Sequence, residues 1–235
     1  APLVLIVDAQ GKVAQILAQT RIDSRALTLG MKDVLVKGGL RNIDGLCAAT
    51  GKLMDEMEAA LVAKGKIEVV EFFSYACPHC NDLNPIVKKW AAKLPADVAF
   101  KRIPVSFNSP FYQLMAKLFY TLESLGEIEK LDAAAFDAIH VKGLKLIDEK
   151  SVQEWAVSQG VDAKKFSDAF KSFSVDSNVK RADQLSRSAK IPGVPALVVD
   201  GRYLVVGKNV KNHDELLALT EKVIDKVRGE RTAKK

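Results

Sequence analysis

The feature that most constrains this chain is a pair of cysteines, Cys77 and Cys80, that follows an apolar run and precedes a helical pattern. The run at residues 67–73 is β-branched and aromatic and is mostly apolar on both faces, which predicts a buried central strand. After the cysteines, apolar residues recur at helical spacing over residues 83–90, and Pro95 follows their end. The two cysteines are therefore predicted to lie at the beginning of a helix.

A helix N-terminus is a place where a cysteine becomes reactive. The thiolate is the nucleophile in disulfide exchange, and free backbone N–H groups and the helix dipole stabilise an anion there. We expect Cys77 to be the exposed attacking thiolate and Cys80, one turn further, to be the more buried resolving thiol. Pro78 suits the first helical turn. His79 is expected to donate a hydrogen bond or positive charge to the Cys77 sulfur, which would make the disulfide a stronger oxidant.

Two cysteines at this spacing have other uses. An inert structural disulfide, half of a zinc site, and a metal carrier that uses both sulfurs are the alternatives. The remaining soft ligands are Cys47, His140 and His213, and they show no recognisable metal spacing. Redox chemistry is favoured, and no metal and no cofactor are predicted. We expect a buried Cys47, a core or interface His140, and an exposed His213.

Composition excludes several classes of protein. The chain has 235 residues, a formal charge of +6 and only three cysteines, too few for a secreted disulfide scaffold. Part of the positive charge falls in residues 228–235, which are predicted to be a solvated end. No basic stripe is interleaved with aromatic residues, so nucleic-acid binding is not expected. No apolar run reaches the roughly 18 residues that span a bilayer, so the chain is not expected to be membrane-spanning.

The segments around the cysteines predict an α/β fold. Residues 98–103, bounded by Pro104, form a second predicted strand, and the resulting βαβ unit should have parallel strands. A helical pattern interrupted by glycines then occupies residues 110–190. It predicts five helices, near Tyr112–Leu125, Leu131–Val141, Glu149–Gln159, Ala163–Phe173 and Val175–Ala189.

Strand signals return after this helical block. Residues 195–199 and 203–206 flank Asp200-Gly201, a strong hairpin turn. A last helix is predicted from Asn212 to Val227, with Asn212 as its cap. The order β-α-β, helical block, β-hairpin, helix predicts a thioredoxin-like sheet with a helical insertion.

The first quarter of the chain is less informative. Residues 3–7 and 13–17 predict a hairpin, and Met54–Val62 predicts a helix. A small extra domain, an appendage on the sheet and a partly disordered arm remain open as interpretations. The predicted division is therefore an unassigned extension at 1–62, a domain at 63–229 with its insertion at about 108–190, and a basic tail at 230–235.

The segment from Glu71 to Cys80 closely resembles the active-site segment of the DsbA family, the bacterial periplasmic dithiol oxidases. Gly193-Val194-Pro195, just before a predicted strand, is similar to that family's cis-proline loop. The helical block has the length and position of the family's insertion. The resemblance covers about residues 64–228.

This resemblance implies roles for supporting residues. The Val194–Pro195 peptide bond should be cis and face the cysteine pair, and a valine before the proline is similar to the oxidase branch, where isomerases usually have threonine. Glu71, in the strand before the motif, should be partly buried near the second cysteine, and the resemblance implies that it helps proton movement. The residues themselves favour a core-edge carboxylate paired with Arg102 on the next strand, and both interpretations can hold. Asn84 stands where a family member has an acidic residue, which puts part of the proton-transfer network in doubt.

The resemblance also implies a function. The oxidised pair would accept electrons from unfolded or newly exported cysteine-containing proteins through a mixed disulfide at Cys77, and Cys80 would release the substrate. A DsbB-like, quinone-linked membrane protein would reoxidise the pair. The implied location is the bacterial periplasm, with a signal peptide presumed removed. A reductase or isomerase of the same fold and a chaperone-like peptide-binding module remain alternatives.

Overall fold

The computed structural model describes residues 3–7, 13–18, 65–206 and 210–233. Within these ranges there are six strands and seven helices. The strands are β1 (Leu3–Val7), β2 (Val13–Ala18), β3 (Ile67–Phe73), β4 (Val98–Pro104), β5 (Ala196–Val199) and β6 (Tyr203–Val206). The helices are α1 (Pro78–Ala91), α2 (Pro110–Ser124), α3 (Ile128–His140), α4 (Glu149–Ser158), α5 (Ala163–Phe170), α6 (Phe173–Ser188) and α7 (His213–Thr232).

All six strands belong to one mixed sheet in the order β2-β1-β6-β5-β3-β4. Strands β3 and β4 are parallel, and β5 is antiparallel to both β3 and β6. At the β5–β6 turn, Asp200 and Gly201 have φ values of 56° and 62°, as a type I′ hairpin turn requires. The βαβ unit and the hairpin therefore confirm the predicted α/β arrangement.

Strand β3 is buried because helices cover both faces of the sheet. Ile67 and Val69 pack in one cluster with residues of α1 and α7. Val70 and Phe72 point to the other face and pack in a cluster with Ala182 of α6. Burial of each such side chain contributes about 1.5–3 kcal/mol, so β3 is a rigid support for the residues that follow it.

Helices α2–α6 form the insertion between β4 and β5, and each begins and ends within three residues of its predicted bounds. Four of them begin at a polar residue whose side chain accepts a backbone N–H: Ser109, Asp148, Asp162 and Ser172. The apolar core of the insertion also contains Phe73, Tyr75, Cys77 and Cys80. The insertion therefore packs directly against the cysteine pair.

The last helix is longer than predicted. It continues to Thr232, past the expected end at Val227, and so includes residues predicted to be a solvated tail. Glu230 accepts a hydrogen bond from the Tyr203 hydroxyl at 2.6 Å, and Arg231 donates to the Gly65 carbonyl at 2.9 Å. The tail prediction was wrong for three residues, Arg228, Glu230 and Arg231, because their charged side chains bind groups near the strand ends that are distant in sequence.

The N-terminal strands extend the sheet. Strand β1 pairs antiparallel with β2, which confirms the predicted hairpin, and β1 lies parallel to β6 with Leu5 opposite Tyr203. Of the three interpretations of this segment, these two strands fit an appendage on the sheet. The predicted helix at Met54–Val62 and the residue Cys47 lie outside the described residues, and the division at residue 62 stays a prediction.

Candidate active site

Cys77 and Cys80 lie at the N-terminus of α1, and both are free thiols in this structure. Cys77 is the N-cap residue with extended backbone angles (φ −94°, ψ 118°), and Pro78 is the first helical residue. The amide N–H groups of Cys80 and Asn81 each donate to the Cys77 carbonyl at 3.1 Å. The backbone N–H groups of His79 and Cys80, together with the positive end of the helix dipole, favour an anion on the Cys77 sulfur.

The two sulfurs differ strongly in acidity. The hydrogen bond from the Cys80 thiol, assisted by the backbone N–H groups of Cys80 and His79 and by the charge of His79, lowers the pKa of Cys77 to about 6. Burial, then the hydrogen bond and charge of Cys77, raise the pKa of Cys80 far above its ordinary value. The reduced site therefore consists of one thiolate and one thiol at neutral pH, with the charge on Cys77.

Cys77 is less accessible than the sequence predicted. It is 5% exposed, and Cys80 is 0% exposed. The expectation of an exposed Cys77 was wrong because the core of the helical insertion and the side chain of Val194 pack beside it. Pro78 and His79 are exposed, so the open side of the site is the first turn of α1.

The loop before β5 lies against the Cys77 sulfur. The Val194–Pro195 peptide bond is cis, which confirms the sequence prediction. The Cys77 Sγ donates to the Val194 carbonyl at 3.4 Å. The thiolate has no proton for this bond, so ionisation of Cys77 frees that carbonyl to accept a hydrogen bond from another chain.

Glu71 is completely buried beneath the cysteine pair, where only partial burial was expected. The Arg102 Nε donates to Glu71 Oε2 at 2.7 Å, which confirms the predicted partner. Burial raises the pKa of Glu71 even though Arg102 opposes the shift. The negative charge of Glu71 is also one of the causes that raise the pKa of Cys80, so the carboxylate acts electrostatically on the dithiol.

A second buried carboxylate, Asp132 of α3, was missed by the sequence analysis. The Arg102 Nη1 donates to Asp132 Oδ1 at 2.7 Å, and the Lys88 Nζ lies 2.7 Å from Asp132 Oδ2. Burial raises the pKa of Asp132, but Arg102 and Lys88 together hold it below its ordinary value. The available signal was weak: Asp132 precedes Phe136 by four residues, so an acid shares the apolar face of its helix.

Three further positions can be compared with their predictions. His140 is half-buried at the end of α3, with Nε2 2.7 Å from the Tyr75 carbonyl, as expected of a core histidine. His213 begins α7 as predicted, although it is half-buried rather than exposed. Asn84 is 4% exposed, and its Oδ1 has no hydrogen-bond partner among the described residues.

The described part of the chain contains no group of three or more His, Cys, Asp or Glu residues that could hold a metal ion. It also contains no helix with the length and apolar character needed to cross a membrane.

These features define a class. A mixed sheet with a helical insertion, a C-x-x-C dithiol at a helix N-terminus and a cis-proline loop in contact with its first sulfur together define a thioredoxin-fold protein with a dithiol site. The chain matches the family model described as DSBA-like thioredoxin domain over residues 68–218.

Individual proteins that the chain resembles are also DsbA proteins. Over 140 residues the chain is 49% identical to the thiol:disulfide interchange protein DsbA of Bordetella parapertussis, a match that covers 60% of this chain and 66% of the relative, just under two thirds of its length. The crystal structure of Pseudomonas aeruginosa DsbA superimposes with a TM-score of 0.68 at 37% identity, covering 73% of this chain and 88% of that one. The crystal structure of DsbA from Xylella fastidiosa superimposes with a TM-score of 0.65 at 29% identity, covering 70% of this chain and 88% of that one. The chain belongs to the DsbA-like thioredoxin family.

Proposed function

We propose that the protein is a thiol:disulfide oxidoreductase that donates the Cys77–Cys80 disulfide to newly exported proteins. The observation that carries this proposal is the contrast between the two sulfurs: the pKa of Cys77 is lowered to about 6, whereas that of buried Cys80 is raised. Stabilising the thiolate stabilises the reduced form, and a pair with a stable reduced form is a strong oxidant. Relatives named thiol:disulfide interchange protein support the same activity.

The reaction begins with a thiolate of the substrate. It attacks the Cys77 Sγ, the Cys77–Cys80 bond breaks, and Cys80 leaves with the electron pair and takes up a proton. Glu71 is the proposed proton source, since burial raises its pKa and its charge acts on Cys80. The substrate is then bound to Cys77 through a mixed disulfide.

A second substrate thiolate completes the reaction. It attacks the substrate sulfur of the mixed disulfide, and Cys77 leaves as a thiolate. The low pKa of Cys77 makes it a good leaving group. The substrate dithiol loses two electrons and two protons. The cysteine pair gains both electrons and one proton, which ends on Cys80, and the other proton passes to solvent because Cys77 stays ionised. Attack by Cys80 would instead return the substrate in its reduced state, so the raised pKa of Cys80 favours oxidation.

The proposed partners follow from this direction of electron flow. The substrates are unfolded or newly exported proteins with reduced cysteines, bound as an extended segment at the carbonyl of Val194 beside Pro195. The reduced pair needs an electron acceptor, and a DsbB-like, quinone-linked membrane protein is the proposed one. The proposed location is the bacterial periplasm, as the resemblance to the DsbA family implies.

The redox potential tests this proposal. Thioredoxin has a reduction potential of about −270 mV, and we expect the Cys77–Cys80 pair, equilibrated in glutathione buffers, to have a markedly more oxidising potential. We also expect the thiolate absorbance of Cys77 to titrate near pH 6. A thioredoxin-like potential with an ordinary Cys77 would favour a reductase and contradict the proposal.

Trapping separates the roles of the two cysteines. In a Cys47→Ser background, which removes the third thiol, the test uses a cysteine peptide supplied as its disulfide dimer. The Cys77 thiolate of Cys80→Ser should attack this disulfide and accumulate as a mixed disulfide while one peptide thiolate leaves, and Cys77→Ser should accumulate none. If Cys77→Ser keeps full activity on unfolded proteins, the cysteines are not the working groups, and a chaperone-like module is the better interpretation.

A further inference from the structure

Three residues on one face of α3 contact the same residue, Tyr75, in the turn between β3 and α1. Asp132, Phe136 and His140 are spaced four residues apart, so they lie in one row along the helix. All three contact Tyr75, which lies two residues before Cys77 and is 1% exposed. We call these three residues the α3 row.

Each member of the α3 row contacts a different part of Tyr75. The Tyr75 hydroxyl donates to Asp132 Oδ1 at 3.0 Å, and the two rings of Tyr75 and Phe136 meet edge to face at 4.9 Å and 79°. The His140 Nε2–H donates to the Tyr75 carbonyl at 2.7 Å. The side chain of Tyr75 and its backbone are therefore both held by the insertion.

Tyr75 belongs to the turn that sets the position of Cys77. The N–H of Ala76 donates to Ser74 Oγ at 3.1 Å, and the N–H of Cys77 donates to the Ser74 carbonyl at 3.1 Å. The Cys77 thiol makes no capping hydrogen bond of its own. The location of its sulfur at the helix terminus thus depends on the backbone of the preceding turn.

We propose that the α3 row positions the reactive sulfur: Asp132, Phe136 and His140 fix Tyr75, and Tyr75 fixes the turn that holds Cys77 at the N-terminus of α1. These are positioning residues, since none of them contacts a reacting atom. The inference rests on the proposed function, because it assigns to the insertion a part in thiolate stabilisation.

His140 gives the sharpest test within the row. Asp132 also binds Arg102 and Lys88, and Phe136 belongs to the core of the insertion, so changing either one disturbs much besides Tyr75. His140 is half-buried and contacts the loop through one backbone hydrogen bond. Loss of that bond frees the turn, and the sulfur then spends less time beside the backbone N–H groups of the helix.

The experiment compares His140→Ala with the unaltered protein in the reduced state. We expect the pKa of Cys77, measured from thiolate absorbance, to rise by about 0.5, which corresponds to a roughly threefold change in the ionisation constant. The rate of Cys77 alkylation at pH 6 should fall about twofold, because the ionised fraction drops from about one half to about one quarter. His140→Gln, whose side-chain amide also carries an N–H donor, should restore most of both values.

Asp137→Asn is the matched control. Asp137 lies on the same turn of α3 and pairs with Lys142 at 2.7 Å on the surface, so this variant should leave the pKa of Cys77 unchanged. Thermal unfolding of every variant reports on the fold. If His140→Ala unfolds more readily but keeps the pKa and alkylation rate of Cys77, the role of His140 is structural only, and the inference is overturned.

The pKa of Cys77 in the unaltered protein shows whether a negative result contradicts the role of the α3 row or the proposed function. An ordinary Cys77 pKa in the unaltered protein overturns the proposed function itself. A low pKa in the unaltered protein that persists in His140→Ala overturns only the role of the α3 row. A low pKa that rises in His140→Ala and returns in His140→Gln supports both.

Discussion

Arg102 on β4 lies directly opposite Glu71 on β3, and its Nε donates to Glu71 Oε2 at 2.7 Å. The Glu71 carboxylate is completely buried, and the Arg102 side chain is mostly buried. Its guanidinium also lies 4.0 Å from the centroid of the Phe73 ring and donates to Asp132. One cation thus connects the strand before the cysteines, the neighbouring strand and the helical insertion. It provides the compensating charge for the Glu71 carboxylate and shares that role with Lys88 at Asp132.

Replacing Arg102 should therefore be costly. Arg102→Met keeps an apolar stem but leaves Glu71 and Asp132 without that charge, and breaking a buried pair in this way costs about 3–5 kcal/mol. Urea unfolding measures the loss. Lys101→Met on the same strand is the control, since it breaks a partly exposed pair with Glu68 and should cost about 1 kcal/mol or less. Equal losses for the two variants would contradict a special role for Arg102.

The stability of the reduced protein should depend on the charge of Cys77. The folded pKa, about 6, lies below the ordinary value of 9.0, so between these values the unfolded chain binds a proton that the folded chain has lost. Stability from this group is then fully present above pH 9 and disappears as the pH falls through 6. The free energy of unfolding, measured in urea at pH 5, 7 and 9, should rise with pH, and Cys77→Ser should lack the part of this rise that comes from Cys77. If the free energy of unfolding of Cys77→Ser rises equally with pH, other groups cause the dependence.

Asn84 should not tolerate a charge. Its side chain is buried on α1 and its Oδ1 has no hydrogen-bond partner among the described residues, so Asn84→Asp would place a carboxylate where burial raises its pKa. We expect a loss of about 1–3 kcal/mol at pH 7 that diminishes in acid, where the new group is protonated. Asn81→Asp, on the half-buried side of the same helix, should change the free energy of unfolding much less. A loss at pH 7 that persists in acid would exclude ionisation as its cause.

The end of α7 should contribute to stability. Arg231 donates to the Gly65 carbonyl and also pairs with Asp200 at the β5–β6 turn. Arg231→Ala should therefore lower the free energy of unfolding by about 1 kcal/mol. Lys222→Ala changes an exposed residue of the same helix, and it should change the free energy of unfolding by no more than about 0.5 kcal/mol. If both variants unfold at the same urea concentration as the unaltered protein, residues 228–232 behave as the solvated end that composition suggested.

Local patterns in the sequence were sufficient for much of the fold. The apolar run at β3, the Asp200-Gly201 turn and the helical periodicity after residue 110 each depend on neighbours within a few positions. The cysteines at the start of α1 were predictable for the same reason, since Cys77-Pro78-His79-Cys80 contains the cap, the first helical residue and the second, buried thiol together. The cis bond before Pro195 was predicted from resemblance rather than from periodicity.

Contacts between distant segments were not predictable in this way. Asp132 looks like an ordinary helix acid until α3 packs beside Arg102, and the burial of Cys77 arises only when the insertion and Val194 meet it. Arg231 likewise appears to belong to a charged tail, because Gly65 is far away in the chain. Each of these features depends on two or more elements coming together, and no single stretch of sequence contains that information.

The small exposed fraction of Cys77 makes the site a steric filter. A cysteine that is 5% exposed, with Val194 on one side and the insertion on the other, can be reached by a narrow, flexible segment but not by a cysteine set in a broad folded surface. Under the proposed function, access then ends as the client folds. The recess would thereby time the reaction, confining disulfide donation to the interval in which a client's cysteines are still on unstructured chain.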